Sequence, residues 1–173
     1  MSIHVTTPRE VDPLQSVRDL TSLGRVDYVD AFVVEVDPDD PGRPQTWARA
    51  MFEGIGRRER LEFQLVWRVL GLRLSLLPSA DRVVGWRIRD EQPDHVLLHA
   101  DSWIGMPAEV LVRRVGSELT MVTFVEQRTA LARAMWAKAT PVHRAAVPGL
   151  LRRVARRGSR RGSRQGSRQG LHG

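Results

Sequence analysis

Alternation of apolar and polar residues marks four consecutive strands in the second half of the chain. The four runs are 83–89, 96–103, 108–115 and 119–128, separated by short breaks of Gly, Pro and Asp type. In the first run Val84, Trp86 and Ile88 share one face, because side chains alternate across a strand. Gaps of hairpin length join antiparallel neighbours, so the pattern predicts an antiparallel meander.

The last of these runs carries apolar residues on both faces. Leu119, Met121 and Val125 alternate with Val122 and Phe124. A strand of this kind either lies in the middle of a sheet or presents its outer face to a partner. The pattern leaves both arrangements open. In the second arrangement the partner could be a second copy of the chain, which would make the protein a homodimer.

Residues 130–156 follow the meander with the spacing of a long helix. Its apolar stripe consists of Leu131, Met135, Val142, Ala146, Leu150 and Val154. Pro141 and Pro148 lie inside this helix, and each proline removes a backbone donor and strains the preceding turn. We therefore expect a bend or a break near Thr140 and another near Val147.

The first half of the chain predicts one strand and two short helices. The strand, 26–36, is apolar on one face at period 2, with Asp30 as the polar exception. The first helix, 47–54, follows a Pro-rich loop and takes Thr46 as its N-cap. The second helix spans about 57–70 and ends at Gly71, as at a C′ glycine. The next six residues form either a short strand or an extended link.

Both ends of the chain are predicted to lie outside the folded domain, which spans 26–155. Residues 1–25 are polar and mixed, which predicts a loose arm with a helical turn at 13–20. Residues 156–173 are built on an Arg/Gly/Ser tetrapeptide repeat. Glycine, serine and like charges cannot fill a core, so we expect a disordered tail.

The order of these elements predicts an α+β container. The apolar face of a meander has to be covered, and the next element along the chain is its natural cover. A curved sheet closed by one long helix encloses apolar surface that suits an apolar ligand.

Composition removes several classes of function. The chain of 173 residues contains no cysteine, which excludes disulfides, thiolate catalysis and cysteine-ligated metals. Eight of its 27 basic residues lie between Arg152 and Gly173, a segment without acids, so the remaining 19 face 20 acidic residues. The folded body is therefore close to neutral, and its charge predicts no nucleic-acid binding. No export signal or transmembrane segment is visible, so we expect a cytoplasmic protein.

Four polar side chains are the candidates for catalysis, although no established catalytic motif is present. His99 and Asp101 lie two residues apart on one strand face, where they can share a proton or orient a ligand. Glu126 is an acid within the last run, and His143 follows Pro141 in the closing helix. The structural alternatives are a solvent-facing pair, cross-strand ion pairs on a wet face and a cap on the helix kink. A buried Glu126–Arg128 pair would instead favour a functional role for Glu126. We expect neither a cofactor nor a metal.

Large aromatic and thioether side chains come from several different elements, which is typical of an apolar pocket. The candidate lining residues are Trp47, Met51, Trp67, Trp86, Trp103, Phe124 and Met135. The alternative is a tryptophan-rich core without a pocket.

Several short motifs resemble an uncharacterised bacterial family in the START-like, polyketide-cyclase (SRPBCC) superfamily. They are W-A-R-A-M-F at 47–52, G-L-R-L at 71–74, V-x-G-W at 83–86 and W-A-x-x-x-P-V-H-R-x-x-V-P-x-L-L-R-R at 136–153. The resemblance covers roughly 26–155. It implies a helix-grip fold, with a cavity between the sheet and the long helix for lipids, polyketides or other apolar molecules. It supplies no catalytic residues.

Three functions remain open on these grounds. The first is a noncatalytic binder of a small apolar or lipid-like ligand. The second is a cyclase- or hydrolase-like enzyme that uses a cavity acid or histidine. The third is an interaction module that docks through its outer sheet face or through its basic tail, which would contact nucleic acid or an anionic membrane.

Overall fold

The computed structural model describes residues 7–13, 15–38, 40 and 42–169, with side chains described up to Arg156. The elements in chain order are β1 (Arg9–Val11), α1 (Gln15–Arg18), β2 (Tyr28–Glu35), α2 (Pro44–Phe52), α3 (Arg57–Val69), β3 (Arg82–Val83), β4 (Trp86–Glu91), β5 (His95–Ala100), β6 (Ala108–Val115), β7 (Glu118–Val125) and α4 (Ala130–Gln169). The fold is α+β, as predicted.

The strands form one curved antiparallel sheet in the order β1-β2-β7-β6-β5-β4-β3. The predicted meander is confirmed, because β4, β5, β6 and β7 pair with their neighbours in sequence. The strand that is apolar on both faces, β7, lies mid-sheet between β2 and β6. Its outer face is covered by the segment 11–26, so the fold of one chain accounts for both apolar faces of β7.

The first predicted run of the meander is a hairpin rather than one strand. Val83 pairs with Trp86 across a two-residue turn made by Val84 and Gly85. Both turn residues have positive φ, 50° and 89°, as in the primed turns that match strand twist. The prediction that Val84 belongs to the strand face of Trp86 and Ile88 is therefore wrong, although Val84 is buried in the same core.

The two helices after β2 agree with prediction except at one end. α2 begins at Pro44, with Arg43 as N-cap, so the expected cap at Thr46 is wrong. A proline suits this position because the first helical N–H has no partner within the helix. α3 ends as predicted at Gly71, which has a φ of 83°. The amide of Leu72 donates to the carbonyl of Trp67, which closes a Schellman motif.

The segment before the predicted domain carries more order than expected. Within the stretch predicted as a loose arm, β1 pairs with β2, and α1 agrees with the helical turn expected at 13–20. A three-residue strand such as β1 is too short to show a period, which explains why the sequence did not predict it.

After Gly71 the chain makes one isolated bridge, from Leu72 to Ser102, so 72–77 is the extended link and not a strand.

α4 runs without interruption through both of its prolines, so the expected breaks at Thr140 and Val147 do not occur. The hydroxyl of Thr140 donates to the carbonyl of Trp136 at 2.7 Å, one turn before Pro141. The helical backbone extends to Gln169, across most of the predicted tail. The expected bend in α4 stays a prediction. The expected disorder of 156–173 also stays a prediction, and the side chains beyond Arg156 lie outside the described ones.

Two apolar layers enclose the sheet. The larger lies on the inner face, between the sheet and helices α2 and α4. The smaller lies on the outer face under the segment 11–26, and its fully buried members are Val17, Ala31, Leu97, Leu111, Val122 and Phe124. Within the described residues, no helix is long and apolar enough to cross a bilayer.

Candidate functional site

Two of the predicted lining tryptophans meet in an aromatic cluster at the β4 end of the sheet. The rings of Trp67 and Trp86 lie 5.5 Å apart, edge to face. Phe52 and Phe63 contact the same Trp67 ring at 5.8 and 5.7 Å. Edge-to-face packing of this kind adds to the energy of area burial alone. The aromatic cluster is defined as Phe52, Phe63, Trp67 and Trp86, and it brings together two of the predicted lining residues, Trp67 and Trp86.

The other predicted lining residues do not join the aromatic cluster. Trp47 is buried in the inner layer, where it packs under the guanidinium of Arg114 at 5.8 Å and donates to the carbonyl of Gly42. Trp103 is 62% exposed in a loop. Phe124 belongs to the outer apolar layer, on the opposite side of the sheet from α4, because its strand position has the other parity. A single pocket on the inner face cannot include Phe124.

Met51 and Met135 do lie in the inner layer. Met51 is fully buried on α2, and Met135 is half-buried on α4. Both side chains therefore face the space between the sheet and its helices, as predicted.

The helix that covers the aromatic cluster is weakly packed. α3 has no buried residue along its 13 positions. Its inward side places Phe63, Trp67 and Leu70 against the inner layer. Its outward side exposes Leu61, Leu65, Val66 and Val69. α3 is therefore apolar on both sides, which is unusual for a surface helix.

His99, a predicted catalytic candidate, has both ring nitrogens bound. Nδ1 lies 3.0 Å from Glu109, and Nε2 lies 3.2 Å from Asp101. The hydrogen bond to Glu109 raises the pKa of His99 against the opposing effect of burial, and Asp101 adds to it. The predicted pairing of His99 with Asp101 is present, on the outer face as the structural alternative had it.

Glu109 connects this outer-face pair to the segment before β2. The carboxylate is fully buried, and it accepts hydrogen bonds from the hydroxyls of Thr21 and Ser22 and from the Ser22 amide. Burial acts to raise its pKa, but the bonds from His99, Ser22 and Thr21 outweigh burial and lower it. The predicted His99–Asp101 pair is thus part of a structural network that includes Glu109.

Glu126 forms a pair with Arg128 at 2.9 Å. Its pKa is lowered by this hydrogen bond. Arg128 is largely exposed, whereas Glu126 is buried. The pair is therefore neither fully buried nor an ion pair on an open strand face.

His143 faces inward and meets two residues of β2. Its Nε2 lies 3.1 Å from the Asp30 carboxylate, and the Tyr28 hydroxyl donates to the same carboxylate at 2.6 Å. Asp30 is only 4% exposed, on the inner face. Burial acts to raise the pKa of Asp30, but the hydrogen bond and charge of His143 and the bond from Tyr28 lower it. Burial, aided by Asp30, raises the pKa of Tyr28 far above its ordinary value.

A cleft opens beside this group. It measures about 440 Å³ and is lined by Glu10, Val11, Asp12, Pro13, Arg18, Val29 and Asp30. Arg144 closes one side through an ion pair with Glu10. Asp30 is therefore both a lining residue of this cleft and the partner of His143.

The sequence identified His143 as a candidate but did not identify Asp30 or Tyr28 as its partners. His143 was a candidate, whereas Asp30 appeared only as a polar exception in an apolar strand, and Tyr28 as part of its face. A buried acid at an apolar phase of a strand is the signal that pointed toward the site. Among the described residues, no group of three or more His, Asp or Glu side chains is arranged to hold a metal ion.

Comparisons with models of protein families, with curated proteins and with solved structures gave no significant match. The functional proposals therefore rest on the geometry of the aromatic cluster and of the group formed by Tyr28, Asp30 and His143.

Proposed function

We propose that the protein binds a small apolar or lipid-like ligand between its sheet and its helices, with α3 as a movable cover. The proposal follows from the layout of the sheet, α2 and α4, which is compatible with a START-like helix-grip fold. In such a layout the inner face of the sheet supplies one wall, and the helices supply the other.

The observation that carries the proposal is the packing of α3. A helix without a buried residue gains little stability from its contacts, so it can move at small cost. Displacement of α3 would remove Phe63 and Trp67 from the inner layer and expose the rings of Trp86 and Phe52, which Trp67 contacts. These surfaces would form an apolar site that a ligand could fill.

The glycines that flank α3 support this role. Gly54 and Gly56 precede the helix, and Gly71 follows it. Backbone at such positions can change its dihedral angles between two states. Two polar contacts hold the helix: Glu59 pairs with Arg153 of α4 at 2.7 Å, and Arg60 donates to the carbonyl of Glu53.

Titration with the fluorescent apolar probe N-phenyl-1-naphthylamine tests the proposal. We expect saturable binding to the wild type and about tenfold weaker binding to Trp67→Ala, which corresponds to about 1.4 kcal/mol. In the proposed complex α3 closes over the ligand and the Trp67 ring packs on it, so removal of this ring takes away one wall of the site.

Trp103→Ala is the matched control, because Trp103 is exposed and lies outside the aromatic cluster. We expect it to bind the probe like the wild type. The proposal is wrong if the wild type shows no saturable binding, or if both variants bind the probe equally.

A further inference from the structure

Histidines in the described ranges differ in how their ring nitrogens are used. His95 places Nδ1 2.8 Å from Asp94 and Nε2 3.1 Å from Asp90. His99 is likewise bound at both nitrogens. An imidazole held at both nitrogens by carboxylates has no free lone pair with which to accept a proton from another molecule. His95 and His99 are therefore structural.

His143 differs from both. Its Nε2 faces Asp30, while no described residue forms a hydrogen bond with Nδ1. The side chain is 19% exposed, so part of the ring reaches the surface. The ring packs against Trp136 at 5.3 Å and against Tyr28 at 6.3 Å, which limits its rotation. One nitrogen is thus fixed to an acid and the other is available.

We propose that His143 acts as a general base through Nδ1, with Asp30 and Tyr28 as positioning residues. Asp30 accepts the hydrogen on Nε2, which selects the tautomer that leaves a lone pair on Nδ1. The hydroxyl of Tyr28 holds the carboxylate in place from the other side. This activity goes beyond apolar binding, and it uses a different part of the inner face from the aromatic cluster.

Hydrolysis of a small ester is a reaction that such a base can promote. Asp30, the partner of His143, also lines a polar cleft with room for a small molecule and water. No described hydroxyl forms a hydrogen bond with His143, and the chain has no cysteine, so water is the nucleophile. Nδ1 takes a proton from water as the water oxygen bonds to the carbonyl carbon. The bond from that carbon to the leaving oxygen then breaks, and the imidazolium returns the proton to the leaving group.

Hydrolysis of p-nitrophenyl acetate by the full chain tests this role. His143→Gln keeps an N–H donor near Asp30 but has no basic nitrogen. We expect it to lower the rate above background at least tenfold, at the low end of what a general base contributes. Asp30→Asn should also slow hydrolysis, because the tautomer is no longer fixed. His95→Gln is the matched control and should keep the wild-type rate.

The pH profile separates a base from a merely structural histidine. The pH–rate profiles of the wild type and His143→Gln should differ in shape, because only the wild type carries a general base at this position. Equal rates and profiles in the wild type and a folded His143→Gln, checked by thermal melting, would overturn the proposal.

Chemical labelling tests whether Nδ1 of His143 has a free lone pair, and it needs no variant if His143→Gln does not fold. Diethyl pyrocarbonate reacts with a neutral ring nitrogen that has a free lone pair. We expect peptide mapping of the wild-type protein to show faster labelling of His143 than of His95 and His99. Labelling of His143 no faster than that of the two bound histidines would contradict the assignment.

Discussion

Glu109 and His99 show how a single buried charge ties two parts of the chain together. Glu109 is fully buried in β6, and its donors come from the segment 21–22 and from β5. Removal of one partner of a buried charged network is costly, because the other groups lose their bonds without regaining water. The contact of 21–22 with Glu109 therefore anchors the N-terminal segment on the outer face.

Glu109→Gln should lower the free energy of unfolding by about 2 kcal/mol near pH 6. The folded pKa of Glu109 lies below 4.5, so its contribution is present above that value and is lost as pH falls through the folded pKa. The folded pKa of His99 lies above 6.5, so its contribution is present below that value and is lost as pH rises through the folded pKa. Both contributions are complete between about pH 4.5 and 6.5.

Urea unfolding across pH 3–9 measures this effect. The variant should lose most of the stability difference at both ends of the range. Glu118→Gln, in the neighbouring strand with an exposed ion pair, is the matched control and should change little. A difference between wild type and Glu109→Gln that stays constant with pH would contradict the account.

Single residues could be identified from the sequence, but their pairing could not. Asp30 and His143 are 113 positions apart, and no local pattern joins them. Their contact exists only because α4 crosses the inner face above β2. For Phe124, the sequence shows two apolar faces in β7 but does not say which one faces α4.

Two glycines in helical surroundings provide a test at the scale of elements. Gly71 has a φ of 83°, and an added Cβ would meet the side chain of Ile104. Gly149 lies within α4, and an added Cβ would meet nothing within 4 Å. We expect Gly71→Ala to destabilise the protein by about 1–3 kcal/mol and Gly149→Ala to stabilise it by about 0.5–1 kcal/mol.

Denaturant unfolding of both glycine variants checks this pair of opposite signs. Stabilisation by Gly71→Ala would show that the Schellman motif does not end α3. Destabilisation by Gly149→Ala would show that α4 is not a regular helix after Pro148.

Periodicity predicted the longer elements, and the shorter ones escaped it. β6 occupies the predicted positions 108–115, because Pro107 and Gly116 bound the run on either side. The turn at Val84 and Gly85 was hidden, since the apolar alternation continues across it. The start of α2 was shifted because Pro44 and Thr46 both favour a helix N-terminus, and the proline took the first position.

At the scale of the whole molecule, one sheet separates two different environments. The inner side holds the aromatic cluster under α3 and, toward β1, the polar group of Tyr28, Asp30 and His143. The outer side is sealed by the N-terminal segment through the outer apolar layer and Glu109. The sheet and long helix of the predicted container correspond to the inner side, and both proposed sites lie there.

Native mass spectrometry of the protein purified from its own cells tests ligand binding most directly. We expect a fraction of the molecules to carry one additional small apolar molecule, which organic extraction releases and Trp67→Ala fails to retain. A single mass equal to that of the bare chain, in the wild type and the variant alike, would contradict the central claim.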